Sequence, residues 1–197
     1  QDKMDQSRAA ADIARFEKNA AHLEASGMYD PAEEHANCGV GLVGAIDGKP
    51  RREVVEAGIE ALKAIWHRGA VDADGKTGDG AGIHLQIPQD FFKAYLKVIN
   101  QEAPDTLIAV GQVFLPRIDM AAQERCRAIV ETEILKQGYG ILGWRQVPVD
   151  VSVIGEKANQ TRPEIEQVLI GVRDDVNEEK FEIDLYAIRR RIEKAVL

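Results

Sequence analysis

The sequence predicts an α+β fold, and three observations carry that expectation. Apolar residues recur at helical spacing in several long stretches. Short runs of β-branched or small apolar residues, bounded by Gly, Pro and Asp, lie between them. The two kinds of stretch come in runs rather than in strict alternation, which favours α+β over a doubly wound parallel sheet. A chain of 197 residues with 45% hydrophobic content can bury one ordinary core, so one domain, or part of a larger one, is expected.

Residues 5–26 are Ala-rich and charged, with Ile13, Phe16, Ala20 and Leu23 on a thin helical stripe. Gly27 ends that helix, and Tyr29-Asp30-Pro31 is turn chemistry. The run from Cys38 to Ile46 is small and apolar and reads as a buried strand closed by the turn Asp47-Gly48. Val54, Ile59, Leu62 and Ile65 define an amphipathic helix ending near Trp66. Residues 67–82 hold five glycines and three aspartates, the composition of a loop with a special backbone path. Ile83 to Ile87 reads as a short strand, and Pro88 starts a helix through Tyr95 and Val98. Thr106 to Leu115 is a strand, and Ala121 to Gln137 a helix with Cys126, Ile129, Val130 and Ile134 on one face. Further strands are expected at 139–143, 149–154 and 167–172, with a final helix from about Leu185. The chain starts at Gln1 without a methionine and stops at Leu197 inside a helical pattern, so both ends read as cut or incomplete.

Charge and composition exclude several classes. A net charge of −8 and a pI near 5.1 argue against a nucleic-acid binder, which needs basic surface to neutralise phosphates. The densest basic cluster, Arg189-Arg190-Arg191, sits beside Glu193 and reads as a solvated helix face. No segment approaches the ~20 apolar residues that span a bilayer. The first 37 residues lack the apolar core of a secretory signal. The two cysteines, Cys38 and Cys126, form no C-x-x-C pair, so neither a disulfide framework nor a thiolate zinc site is expected. A reducing, cytoplasmic setting fits that usage.

Two motifs match by letter and fail by context. Gly39-Val40-Gly41-Leu42-Val43-Gly44 spells G-x-G-x-x-G, but no strand precedes it and Asp47-Gly48 blocks a following helix. Gly75-Lys76-Thr77 resembles the end of a phosphate-binding loop, but five residues rather than four separate Gly69 from Gly75. Cys126 on a helix face reads as a small buried thiol. His35 and Cys38 lack the second pair that a metal site needs, and His22, His67 and His84 have no ligating spacing.

Cys38 differs, because it follows a charged leader and opens a glycine-rich apolar run. A cut before it would leave an N-terminal cysteine. A free α-amine titrates at about 7.7–8.0, near the operating pH, and can serve as general base for the thiol of the same residue. While Asn37 is attached, that nitrogen is an amide and the base does not exist. On residues alone an inert cysteine remains the ordinary alternative.

Tyr29-Asp30-Pro31, Glu34-His35 and Cys38-Gly39-Val40-Gly41 resemble the propeptide junction of glutamate synthase large subunits. Trp66-His67-Arg68-Gly69-Ala70 through Asp74-Gly75-Lys76-Thr77-Gly78-Asp79-Gly80-Ala81-Gly82-Ile83 is similar to a signature of the same family, and Ile87-Pro88 and Phe91-Phe92 fit it too. The resemblance extends more weakly over the rest of the chain.

It implies a class II glutamine amidotransferase domain of the N-terminal-nucleophile hydrolase type, a four-layer αββα fold that would be incomplete here. Residues 1–37 match the removable leader and residues 38–197 the N-terminal part of that domain. In the implied reaction Cys38 Sγ attacks the side-chain amide of glutamine. A thioester forms, ammonia leaves and water releases glutamate. In the complete enzyme ammonia reaches 2-oxoglutarate at a distant site, and the imine is reduced through FMN and an iron–sulfur cluster with electrons from NADPH or ferredoxin. Cys38 matches the nucleophile and Arg68 the arginine of its pocket, where its charge would favour the thiolate; a structural ion pair is the competing reading. Gly69 and the loop Gly78-Asp79-Gly80 match backbone that approaches the pocket closely, with a pure folding role as the alternative. The implied partners are glutamine, the remainder of the synthase chain and a small subunit that oxidises NADPH; no nucleic acid, membrane or metal is expected at these residues.

The family's oxyanion-hole Asn-Gly pair and its aspartate for the substrate amino group have no counterpart among these 197 residues, nor do ligands for FMN or an iron–sulfur cluster. Loss of even one oxyanion donor costs ~10²–10³ in rate, so negligible glutaminase activity is expected of this chain alone. Two other readings compete: an amidotransferase of another pathway, against which the 37-residue leader counts, and a truncated non-catalytic interaction module.

Overall fold

The computed structural model describes residues 13–15, 17–22, 24–26, 39–65, 69–78, 80–173 and 175–196. The chain divides into two units, residues 1–40 and 41–197. In the first, the described residues are helical at 13–15, 17–22 and 24–25, and Ile13 on the expected stripe is exposed. The leader boundary at 37/38 lies outside the described residues.

The second unit runs α1 (Arg52–Ala64), α2 (Gln89–Val98), β1 (Ile108–Leu115), α3 (Met120–Lys136), β2 (Gly140–Gln146), α4 (Glu156–Thr161), β3 (Glu164–Gly171) and α5 (Glu178–Val196). The three strands form one sheet in the order β1-β3-β2, with both pairings antiparallel. The architecture is thus a mixture of helix and sheet, in accord with the α+β expectation. β3 is central, and Val168 to Gly171 are buried because both neighbours and both faces are covered.

Alternation along the strands distributes the core to the two faces. Ala109, Val168 and Ile170 meet Val130 and Ile134 of α3 and Phe181 and Ile188 of α5. Ile108 and Leu169 point the other way, onto Phe92 and Leu96 of α2. Ile141 and Trp144 of β2 share a face although three residues apart, because the register shifts between Ile141 and Gly143 as at a β-bulge. Gln89 ties α2 to the sheet: its side-chain amide donates to the Ile108 carbonyl and accepts from the Ile108 N–H, each at 2.9 Å.

Local chemistry fixes the helix starts. Asp119 caps α3 by accepting from the Ala122 N–H at 2.9 Å, and Asn177 accepts from the Lys180 N–H at 2.8 Å. That asparagine is why the last helix begins at Glu178 instead of near Leu185. Helix α4 was not expected at all.

Three expected strands are absent among the described residues. Residues 39–46 and 83–87 form no ladder, and Val40, Leu42 and Ile46 are exposed. The first is a continuous small apolar run and the second alternates, both patterns of strands, but a strand exists only through a hydrogen-bonded neighbour, and no described strand pairs with either. Residues 149–154 turn instead, because the Asp150 carboxylate accepts from both the N–H (2.9 Å) and the hydroxyl (2.7 Å) of Ser152. Such local bonding competes with a ladder. The remaining strands run over 140–146 and 164–171 rather than 139–143 and 167–172. Cys126 is half-buried, not buried.

Candidate functional site

Of the six residues singled out for the site, Gly69, Gly78 and Gly80 are described, while Cys38, Arg68 and Asp79 lie outside the described residues. The geometry on view is therefore that of the glycine-rich loop. Val71 and Gly78 form an antiparallel bridge. The Asp72 N–H donates to the Thr77 carbonyl at 2.7 Å, and the Gly75 N–H donates to the Asp72 carbonyl at 2.9 Å. The chain reverses through Gly75, whose φ of +69° lies in the left-handed region that an L side chain rarely enters. Gly78 is favoured for a different reason: a Cβ there would lie a tight 3.2 Å from the Ala70 carbonyl oxygen. Gly80, at φ +94°, again needs glycine.

Asp74 organises the turn. Its carboxylate accepts from the N–H groups of Lys76 (2.9 Å) and Thr77 (2.7 Å) and from the Thr77 hydroxyl. The Thr77 hydroxyl above all, then the two backbone donors, hold the Asp74 carboxyl down at about 2. This removes the phosphate-loop reading of Gly75-Lys76-Thr77 on physical grounds. The N–H groups that would cradle a phosphate already serve a fixed anion. The G-x-G-x-x-G reading of residues 39–44 falls as well, since the segment runs into the turn at 46–47 where the motif needs a helix to open.

Two further contacts anchor the loop, and the sequence reading missed both. Lys157 Nζ donates to both oxygens of Asp72, at 2.8 and 2.7 Å, across 85 residues of chain. Gly155, buried at the start of α4, lies so close that an added Cβ would overlap Thr77 Oγ1, Asp74 Oδ2 and, at 2.6 Å, the Thr77 nitrogen. No spacing rule links positions so far apart, so no signal in the sequence could have paired them.

A separate groove of about 860 Å³ runs between α2 and the segment after β2, lined by Phe91, Tyr95, Val98, Arg145, Val149 and Arg162 among others. The Arg145 guanidinium stacks over Phe91 at 5.2 Å and Tyr95 at 5.8 Å. Among the described residues no cluster of His, Cys, Asp and Glu could hold a metal ion, and no helix is long and apolar enough to cross a membrane.

Comparison with known proteins places the loop in context. Residues 38–197 match the family model of class-II glutamine amidotransferases. The chain is 67% identical over 184 residues to the glutamate synthase [NADPH] large chain of Azospirillum brasilense, covering 93% of this chain and 12% of that protein. It is 36% identical over 179 residues to ferredoxin-dependent glutamate synthase 1 of Arabidopsis thaliana, covering 90% and 11%. It is 37% identical over 174 residues to the glutamate synthase [NADPH] large chain of Bacillus subtilis (strain 168), covering 86% and 11%. These relatives are thus far longer than the chain itself. With more than half of its residues inside the family match, the chain belongs to the class-II glutamine amidotransferases.

Proposed function

We propose that this chain supplies the N-terminal, glutamine-hydrolysing part of a glutamate synthase, with Cys38 as its nucleophile. The observation that carries this reading is where the family match begins: at residue 38, the cysteine that the charged leader precedes. Removal of residues 1–37 creates the free α-amine that serves as base for the Cys38 thiol. Sγ attacks the amide carbon of glutamine, the amide nitrogen takes a proton and leaves as ammonia, and water hydrolyses the thioester to glutamate. Arg68 lines the pocket and favours the thiolate. Gly69 and the loop Gly78-Asp79-Gly80 bring backbone close to the substrate.

The complete domain takes the four-layer αββα arrangement. The apolar run 39–46 and the alternating segment 83–87 support it, because they carry the patterns of strands that lack neighbours among the described residues. Ammonia passes to 2-oxoglutarate in the remainder of the synthase chain. The FMN and iron–sulfur cluster belong to that remainder, since two cysteines are too few for a cluster's thiolates. A small subunit oxidising NADPH is the electron source suggested by the NADPH-named relatives, and a cytoplasmic setting suits a chain whose two cysteines form no C-x-x-C pair.

N-terminal sequencing and intact mass of the complete protein test the assignment, together with Cys38→Ala. A mature start at Cys38 is expected. The variant should lose glutamine-dependent turnover by on the order of 10⁴-fold or more while still using free ammonia. An active enzyme that retains residues 1–37 would overturn the reading, because its base would have to be another group.

A further inference from the structure

We propose that Lys157 and Gly155, at the opening of α4, are positioning residues that hold the glycine-rich loop of the glutamine site in its working shape. This inference rests on the assignment made above of Gly69 and Gly78-Asp79-Gly80, the two ends of that loop, to the pocket.

The loop has little packing of its own. Every described residue from Gly69 to Gly80 is exposed except Thr77, which is half-buried. Its internal hydrogen bonds fix the turn from Asp72 to Gly78 but do not fix where that turn lies relative to the sheet. Two contacts do. Lys157 clamps the Asp72 carboxylate through both oxygens, and the bare backbone of Gly155 lets Asp74 and Thr77 settle against the start of α4. Helix α4 in turn leads directly into β3, the central strand, through Arg162 and Pro163. The site loop is thereby referenced to the most buried strand of the unit.

The two contacts differ in kind. The Asp72–Lys157 pair is largely in water, with the lysine 63% and the aspartate 35% exposed. Exposed pairs contribute little to global stability and weaken as salt rises. Loss of the pair therefore frees the loop without unfolding the protein, which separates positioning from structure. Gly155 is a steric requirement, and salt does not touch it.

The test uses the complete enzyme with Lys157→Met, Lys157→Arg, and the charge-exchanged pair Asp72→Lys with Lys157→Asp. Hydrogen exchange at residues 71–78 reads the loop directly. Steady-state glutamine hydrolysis reads its consequence, and ammonia-dependent turnover is the control for the rest of the enzyme. Lys157→Met is expected to speed exchange at Gly75 and Thr77 and to lower kcat/KM for glutamine about two- to five-fold. Its melting temperature and ammonia-dependent rate should stay unchanged. Lys157→Arg and the exchanged pair should recover most of the loss. Raising salt from 0.05 to 0.5 M should slow the parent enzyme toward Lys157→Met and leave Lys157→Met itself nearly unaffected. Unchanged loop exchange in Lys157→Met, or faster exchange with glutamine kinetics like the parent's, would overturn the proposal. Glutamine hydrolysis retained in Cys38→Ala would strike the site assignment instead, and the exchange data would still judge the clamp.

Discussion

Tyr139 carries a hydroxyl into the core at 2% exposure and must find a partner for it. It donates to Asp184 Oδ2 at 2.6 Å, and Asp184 also accepts from Lys180 and Gln137. Burial first, then the bond to Asp184, pushes the Tyr139 hydroxyl up to about 12. A raised acid favours the neutral form in the folded state. Its contribution is therefore complete below the ordinary pKa of 10 and is lost as pH rises from 10 through 12. Tyr139→Phe should cost about 1–2 kcal/mol in urea unfolding at neutral pH, and the variant should lack this part of the alkaline decline. Asp74 is the opposite case. Its lowered carboxyl supports the turn above the usual 3.8, and that support is lost as pH falls through about 2. In Thr77→Val the Asp74 carboxyl should titrate closer to its ordinary value by NMR. At this scale the sequence was partly legible. The loop over 67–82 could be picked out from its glycines and aspartates, and Cys38 is proposed from residue type and family pattern, whereas Asp72–Lys157 and Tyr139–Asp184 are set by tertiary approach.

Elements differ in how firmly the unit holds them. Leu96 of α2 is fully buried against Ile108 and Leu169, while α1 contains no buried residue despite its amphipathic pattern. Leu96→Ala should cost about 2–5 kcal/mol. Leu62→Ala, on the half-buried face of α1, should cost about 1 kcal/mol. Chemical denaturation of both variants checks the contrast. Helices were the legible elements, because spacing of 3–4 residues is written locally: α2 and α3 lie within two residues of expectation. Strands were harder for a physical reason. Alternation tells which face could be buried, but a neighbour decides whether a strand forms. The apolar run 39–46 and the alternating residues 83–87 read as strands but have no such neighbour among the described residues, and at 149–154 two hydrogen bonds from Ser152 to Asp150 win instead.

At the scale of the whole molecule, apolar surface left in water is the dominant feature. Leu42, Ile46, Ile83, Leu85 and Ile87 are all exposed, and apolar segments that pair with no described strand template association. The 197-residue chain on its own should self-associate at micromolar concentration, and Leu42→Lys with Leu85→Lys should shift it toward monomer in sedimentation velocity. The α+β class was legible because it depends on the number and kind of elements; the strand order β1-β3-β2 was not, because it depends on which strands meet. That order also sets a timetable for synthesis. The middle strand is the last of the three to be made, so β1 and β2 lack a complete partner until Gly171 has been translated. At ~5–20 residues per second, the 56 residues from Pro116 to Gly171 leave β1 waiting roughly 3–11 s for its complete partner. During that interval a nascent chain needs shielding that the finished sheet does not.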